Sequence, residues 1–258
     1  MRYRPMDSHP SDPRLGRFIP DDWEHVERHP LSAVPEEQRP ECTPVVIGVN
    51  WYTEMFRPEH DAGIDEYFIA PGGPDTLTNI EGGHCVCLEP GDAEKNEAWW
   101  EIFDQGNEGA CVGFGWSRAM SLLNDELYAP RWLWDRAKEV DEWGETNPGD
   151  DNGTSVRAGS QILMQRGHTD WQDDFADDDV EERRGYTPAA DNGIERVRWT
   201  QSVKDVHSVL GNKRADELGA VPFLNSWGRS YPYRTWIPDE VFDRLIQEQG
   251  EIAVPTDR

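Results

Sequence analysis

Residues 111–123, Cys-Val-Gly-Phe-Gly-Trp-Ser-Arg-Ala-Met-Ser-Leu-Leu, read as a helix with apolar or small side chains all round. Such a helix has no face to offer water, so the rest of the chain has to enclose it. A chain of 258 residues is long enough to do so as one large domain or two small lobes. Twelve tryptophans add large apolar surface for the packing.

The segments around that helix mix both kinds of secondary structure. Residues 45–52 (Val-Val-Ile-Gly-Val-Asn-Trp-Tyr) read as a buried strand, and a Gly/Pro/Asp-rich loop is expected from there to Asn79. Residues 82–88 read as a second strand, opened by Gly82 and Gly83, and 99–103 as a short strand or turn. Further helices are expected over 131–140, from a Thr154 or Ser155 cap to Arg166, over 202–210, and from about Asp239 to Gln249 at the close of the chain. Residues 220–224 read as a strand leading into Asn225. Separated strands mixed with helices give an α+β class. Residues 1–44 carry eight prolines and are expected to form an extended arm, with one helical turn near 23–26.

Charge narrows the partners. With 25 basic and 51 acidic residues, the formal net charge is −26. Such a surface repels nucleic acid and anionic membranes, and it serves solubility. No apolar run approaches the ~18–20 residues of a membrane span, and residues 1–20 lack an apolar signal-peptide core. The acidic stretch 173–182 reads as a solvated loop without the spacing of a calcium loop. Four cysteines, Cys42, Cys85, Cys87 and Cys111, are too few for a disulfide framework. A reducing, cytoplasmic compartment is the simpler expectation. His84-Cys85-Val86-Cys87 lacks the spacing of a structural zinc site, and Cys85 and Cys87 fit better as strand residues facing the core. Neither metal nor cofactor is expected.

The chemistry centres on Cys111, at the start of the buried helix. Backbone N–H groups and the helix dipole favour a thiolate there, and the thiolate is the nucleophilic form. Gln105 lies six residues earlier, across a Gly-rich turn. Its side-chain N–H, with the Cys111 backbone N–H, would form a two-donor oxyanion hole. An imidazole must partner the thiolate and later protonate the leaving group, and a third group must hold the ring. The amide oxygen of Asn225 suits that last task, with Trp227 covering the bond. His84 follows Gly82-Gly83 and opens a strand; His207 is the rival candidate, placed on a helix by Val203, Val206 and Leu210. His168 reads as a surface-loop residue, and Trp132, Trp134 and Trp143 as packing.

Three motifs together resemble the papain-like cysteine peptidases. Gln105 to Cys111 resembles that family's glutamine–cysteine segment, Asn225-Ser226-Trp227-Gly228 its asparagine motif, and Gly82-Gly83-His84 its histidine motif. Residues 153–159 resemble a segment of bacterial and phage members. The resemblance covers roughly 45–255 and implies a two-lobe fold, with a helical lobe and an antiparallel β-barrel-like lobe. It implies a peptidase acting on polypeptide through Cys111, His84, Asn225 and Gln105, with 45–258 as the peptidase domain: β-lobe strands with His84 over 45–90, a helical lobe over 91–215, and the Asn225 part of the β-lobe with a closing helix over 216–258. The sequence departs from the family pattern at four places. Glu108 stands where many secreted members have a disulfide-bonded cysteine, and Val112 where an aromatic residue is usual. The histidine segment precedes the cysteine segment, and moving 45–90 to between Leu210 and Ala220 would restore the family order. The arm over 1–44 is extra, either a cover for the cleft or a docking arm. Two other readings stay open: a catalytically silent papain-fold module, structural or docking, of a phage particle, and a Cys–His amidase acting on cell-wall amides.

Overall fold

The computed structural model describes residues 29–141, 153–171 and 192–256. The helical turn expected near 23–26, Trp143 and the acidic stretch 173–182 lie outside these residues.

Among the described residues, eight strands form one mixed sheet. They are β1 (Val45–Tyr52), β2 (Glu59–Asp61), β3 (Glu66–Phe68), β4 (Ile80–Leu88), β5 (Arg196–Trp199), β6 (Ala220–Leu224), β7 (Arg234–Pro238) and β8 (Glu251–Thr256). They run in the order β2-β3-β7-β6-β4-β1-β8-β5. All neighbours are antiparallel except β3 and β7, which meet in parallel at Phe68 and Trp236. Six helices accompany the sheet among the described residues: α1 (Cys111–Asn124), α2 (Pro130–Lys138), α3 (Val156–Gln165), α4 (Val203–Leu210), α5 (Lys213–Leu218) and α6 (Asp239–Gln247). The fold is α+β, as expected from the sequence.

Alternation along the central strands explains the layering. Successive side chains of a strand point to opposite faces. Val45, Ile47 and Val49 of β1 join Val86 and Leu88 of β4 in a core with Val206 and Leu210 of α4 and Phe242 and Leu245 of α6. Val46, Cys85 and Cys87 face the other way, into a core with Cys111, Trp116 and Met120 of α1 and Ile162 of α3. Both faces are therefore covered, which is why β1 has no polar alternation. Helix α1 needs its glycines for this. A Cβ on Gly113 would lie 2.3 Å from the Pro130 carbonyl oxygen, and one on Gly115 would lie 2.8 Å from Cys85 Sγ.

Several sequence expectations need correction. The stretch up to Asn79 holds the short β2–β3 hairpin and two 3-10 turns, Thr53–Phe56 and Pro74–Thr76. Of the two readings of 99–103, the turn holds: the 3-10 turn Glu97–Trp100 covers its start and no strand forms there. The chain does not close on a helix: β8 follows α6 and inserts between β1 and β5. His168 is fully buried, its ring stacked on Tyr128 and its Nε2 at 2.8 Å from Ser117 Oγ. The described part of the arm, from 29, packs onto the sheet, with Leu31 buried and a bridge from Pro30 to Trp199.

Candidate active site

Two short backbone segments build the site by pairing with each other. The Gln105 amide donates to the Ser226 carbonyl at 2.8 Å, and the Gly228 amide donates to the Phe103 carbonyl at 3.0 Å. This ties residues 103–105 to 226–228 and brings Gln105 beside Asn225. Gly228 has φ +59, and a Cβ there would lie 2.4 Å from Asp104 Oδ2, so glycine is required. On the other side, Arg118 of α1 reaches the segment leading in: its guanidinium donates to the carbonyls of Ala98 and Glu101 and sits 4.0 Å from the centre of the Phe103 ring.

His84 and Asn225 come from neighbouring strands. Strand β4 pairs with β6 at Cys87–Leu224 and Leu88–Phe223. His84 lies on β4 before these pairs and Asn225 follows β6, so the two side chains meet. His84 Nε2 is 3.0 Å from Asn225 Oδ1. The Ser226 amide also donates to Oδ1, at 2.7 Å, which fixes which end of the Asn225 amide is oxygen. An amide oxygen only accepts, so Nε2 of His84 carries the proton and Nδ1 is the basic nitrogen. Aromatic rings enclose this bond. Trp227 stacks on the imidazole at 4.5 Å between centroids, Trp51 meets it edge-on at 4.7 Å, and Phe56 stacks on the outer side of Trp227 at 5.2 Å. Burial lowers the His84 pKa to about 4, while the Asn225 hydrogen bond pulls it up.

Cys111 opens α1 against the same stretch of β4. Burial raises its thiol to about 11. The nearby backbone N–H groups of Cys85, Val112 and Cys111 itself pull it the other way. Cys111 packs in one core with Cys85, the residue next to His84. Burial also pushes the Cys85 and Cys87 thiols up, and all four cysteines are free.

Gln105 is buried and its amide orientation is fixed from both ends. Oε1 accepts from Ser226 Oγ at 2.6 Å, and Nε2 donates to the Glu108 carbonyl at 2.8 Å. One Nε2 proton is left over. His207, the rival histidine, is occupied elsewhere: its two ring nitrogens lie 3.0 Å from Asp216 and 2.8 Å from Asp239, tying α4 to α5 and α6.

No protein-family model matches the sequence, and no curated protein does either. A solved structure that resembles this chain is that of xylellain, a cysteine protease from Xylella fastidiosa. The two are 15% identical, the match covers 62% of this chain and 83% of that one, and the TM-score is 0.47. A backbone overlap at that score says nothing about chemistry, which rests on the side chains described above.

Ser226 and Trp51 are the contributors that sequence reasoning left without a role. Ser226 was visible within its motif, but its link to Gln105 spans 121 residues and has no local signal. Trp51 looked like any apolar residue of β1. Among the described residues no cluster of three or more His, Cys, Asp or Glu could hold a metal ion, and no helix is long and apolar enough to cross a membrane.

Proposed function

We propose that the chain is a papain-like cysteine peptidase, with 45–258 as its catalytic domain, 45–90 as a relocated pair of β-lobe strands, and 1–44 as an added arm. The observation that carries this is the His84 Nε2–Asn225 Oδ1 hydrogen bond, which leaves Nδ1 as the basic nitrogen on the residue next to Cys85, and Cys85 packs with Cys111 in one core. In this reading Nδ1 takes the thiol proton. The Cys111 sulfur attacks a peptide carbonyl carbon, and the oxygen gains negative charge between the Cys111 N–H and the remaining Gln105 Nε2 proton. His84 then returns the proton to the leaving amine as the C–N bond breaks. Water attacks the thioester, His84 takes its proton, and the sulfur leaves. The substrate is a polypeptide, and four free cysteines fit a reducing compartment.

A second reading, a catalytically silent module, is favoured by burial: Cys111 and His84 are each only 4% exposed. Separately, burial holds both groups neutral.

The rate of Cys111 alkylation against pH separates the two, in wild type, His84→Ala and His207→Ala. A His-paired thiolate stays reactive below about pH 6, as such thiols titrate around 3–4. The peptidase reading expects that acid reactivity in wild type and His207→Ala and its loss in His84→Ala. A thiol held by burial at about 11, as the silent module would have it, is ionised in only ~1 molecule in 10⁴ at pH 7. A wild type that already behaves as a buried thiol makes the silent module the correct reading.

A further inference from the structure

Gln105 can act as an oxyanion donor only while its loop is held still, and the loop has little of its own to hold it. Residues 105–110 are Gln-Gly-Asn-Glu-Gly-Ala. Gly106 has φ +63, and a Cβ built on it would meet nothing within 4 Å. Two internal bonds close the turn: the Glu108 amide donates to the Gln105 carbonyl at 3.4 Å, and Gln105 Nε2 donates to the Glu108 carbonyl at 2.8 Å. The second bond sets which Nε2 proton is free and where it points. Its geometry therefore depends on what fixes Glu108.

The Glu108 side chain is fixed by Arg131. Arg131 Nε lies 2.6 Å from Glu108 Oε2, and the side chains are only 16% and 22% exposed. Arg131 sits in the first turn of α2, where the preceding Pro130 carbonyl is pressed against Gly113 of α1. Its guanidinium also lies 5.3 Å from the Phe114 ring centre. The pair thus ties the turn to two packed helices. A short ion pair removed this far from water is stronger than an exposed one.

We propose that Arg131 is a positioning residue for the oxyanion donor, acting through Glu108, so that this ion pair does the stapling before the nucleophile. The proposal rests on the peptidase reading. Arg131 touches neither substrate nor reacting atoms; it fixes the Glu108 carbonyl, which aims the Gln105 amide.

The test compares wild type, Arg131→Met, Arg131→Lys and Glu108→Gln on the p-nitrophenyl ester of a blocked glycine, with the pH profile of Cys111 alkylation measured on each. Deleting an oxyanion donor outright costs ~10²–10³ in kcat, and a loosened donor is expected to cost roughly 10-fold. Arg131→Met and Glu108→Gln should lose that factor in kcat with KM little changed and the alkylation profile of wild type. Arg131→Lys, which keeps the charge, should recover most of it. An undiminished kcat in Arg131→Met overturns the proposal and leaves the peptidase reading standing. So does an equal loss in the Met and Lys variants, because the charge would then be irrelevant. A variant whose alkylation profile collapses shows Arg131 to be a general structural residue and overturns the positioning role. A wild type without acid-limb alkylation or ester turnover overturns both readings together.

Discussion

Acid should destabilise this fold through His168, by an amount that can be worked out. The ring is completely buried among Tyr128, Trp132 and Ser117. Its Nδ1 accepts the Thr169 amide hydrogen at 2.9 Å, so the proton of the neutral ring is on Nε2, which faces Ser117 Oγ. Adding a second proton at Nδ1 would set two donors against each other at a ring fully buried in the protein. Burial accordingly lowers the pKa from an ordinary 6.5 to about 3. The unfolded chain binds this proton below pH 6.5 and the folded chain does not. The stabilisation is therefore complete above pH 6.5 and is lost as pH falls toward 3. At ~1.4 kcal/mol per pH unit the whole window is worth ~5 kcal/mol, of which ~3 kcal/mol is gone by pH 4.5. The assay is guanidinium unfolding of wild type and His168→Gln at pH 7.5 and pH 4.5. The variant is expected to be weaker at pH 7.5, because the stacked ring is gone. Between the two pH values wild type should lose ~3 kcal/mol more than the variant. Carboxylates and His84 titrate in both proteins and cancel in the difference. Equal losses would show that His168 carries its proton in the fold, and the buried neutral ring would be wrong.

Two further substitutions probe the site and its support. Ser226→Ala leaves the buried Gln105 Oε1 without the hydroxyl that now donates to it at 2.6 Å. It should cost ~1–3 kcal/mol in denaturant unfolding and lower ester turnover several-fold by freeing the amide to rotate, while Cys111 alkylation keeps its pH profile. Gly113→Ala puts a methyl group 2.3 Å from a backbone carbonyl oxygen and 2.8 Å from Trp134 Cβ, neither of which is a flexible end that can swing away. Overpacking of this kind costs ~1–3 kcal/mol or more, so thermal melting should show a Tm lower by several degrees.

Where the sequence was readable, the signal was local. Helix α1 declared itself through apolar residues on every side, and its first residue is the candidate nucleophile. Strand β6, most of β1, and β4 from Cys85 on are apolar because both faces of the sheet are covered there. The caps at Ser155 and Ser202 are short-range hydrogen bonds, to the amides of Ala158 and Asp205. The misses have non-local causes. Strands β2 and β3 are three residues each, largely polar, and exist because β3 meets β7. Strand β8 contains Pro255 and begins with Glu251, so nothing in it insists on a strand until β1 and β5 flank it. His168 follows Arg166 and Gly167, as loop histidines often do, and its burial is decided by Ser117, 51 residues earlier.

Within the proposed reading, the order of the segments poses the harder question of how a histidine placed before the nucleophile could serve it. Sheet neighbours are set by pairing, not by chain order, and catalytic groups are defined by geometry. Strands β1 and β4 form a self-contained antiparallel unit in which Val45 pairs with Leu88, so its two ends lie side by side. Both ends dock on the end of α4. The Thr43 amide donates to the Val209 carbonyl at 3.1 Å, and the Gly91 amide to the Leu210 carbonyl at 2.9 Å. A Cβ on Gly91 would lie 2.4 Å from the Gly211 carbonyl oxygen. That junction adjoins the place, between Leu210 and Ala220, where the papain-like order would have the unit inserted. A unit whose ends meet can leave one position in a chain for another at little cost, since only short connections change and closure entropy grows slowly with loop length. In the proposed reading the unit would keep its contacts with α4, β6 and β8, and His84 would keep Asn225. The proximity of these ends to 209–211 supports relocation within the proposed reading, in which the segment could stand early in the chain without moving the chemistry.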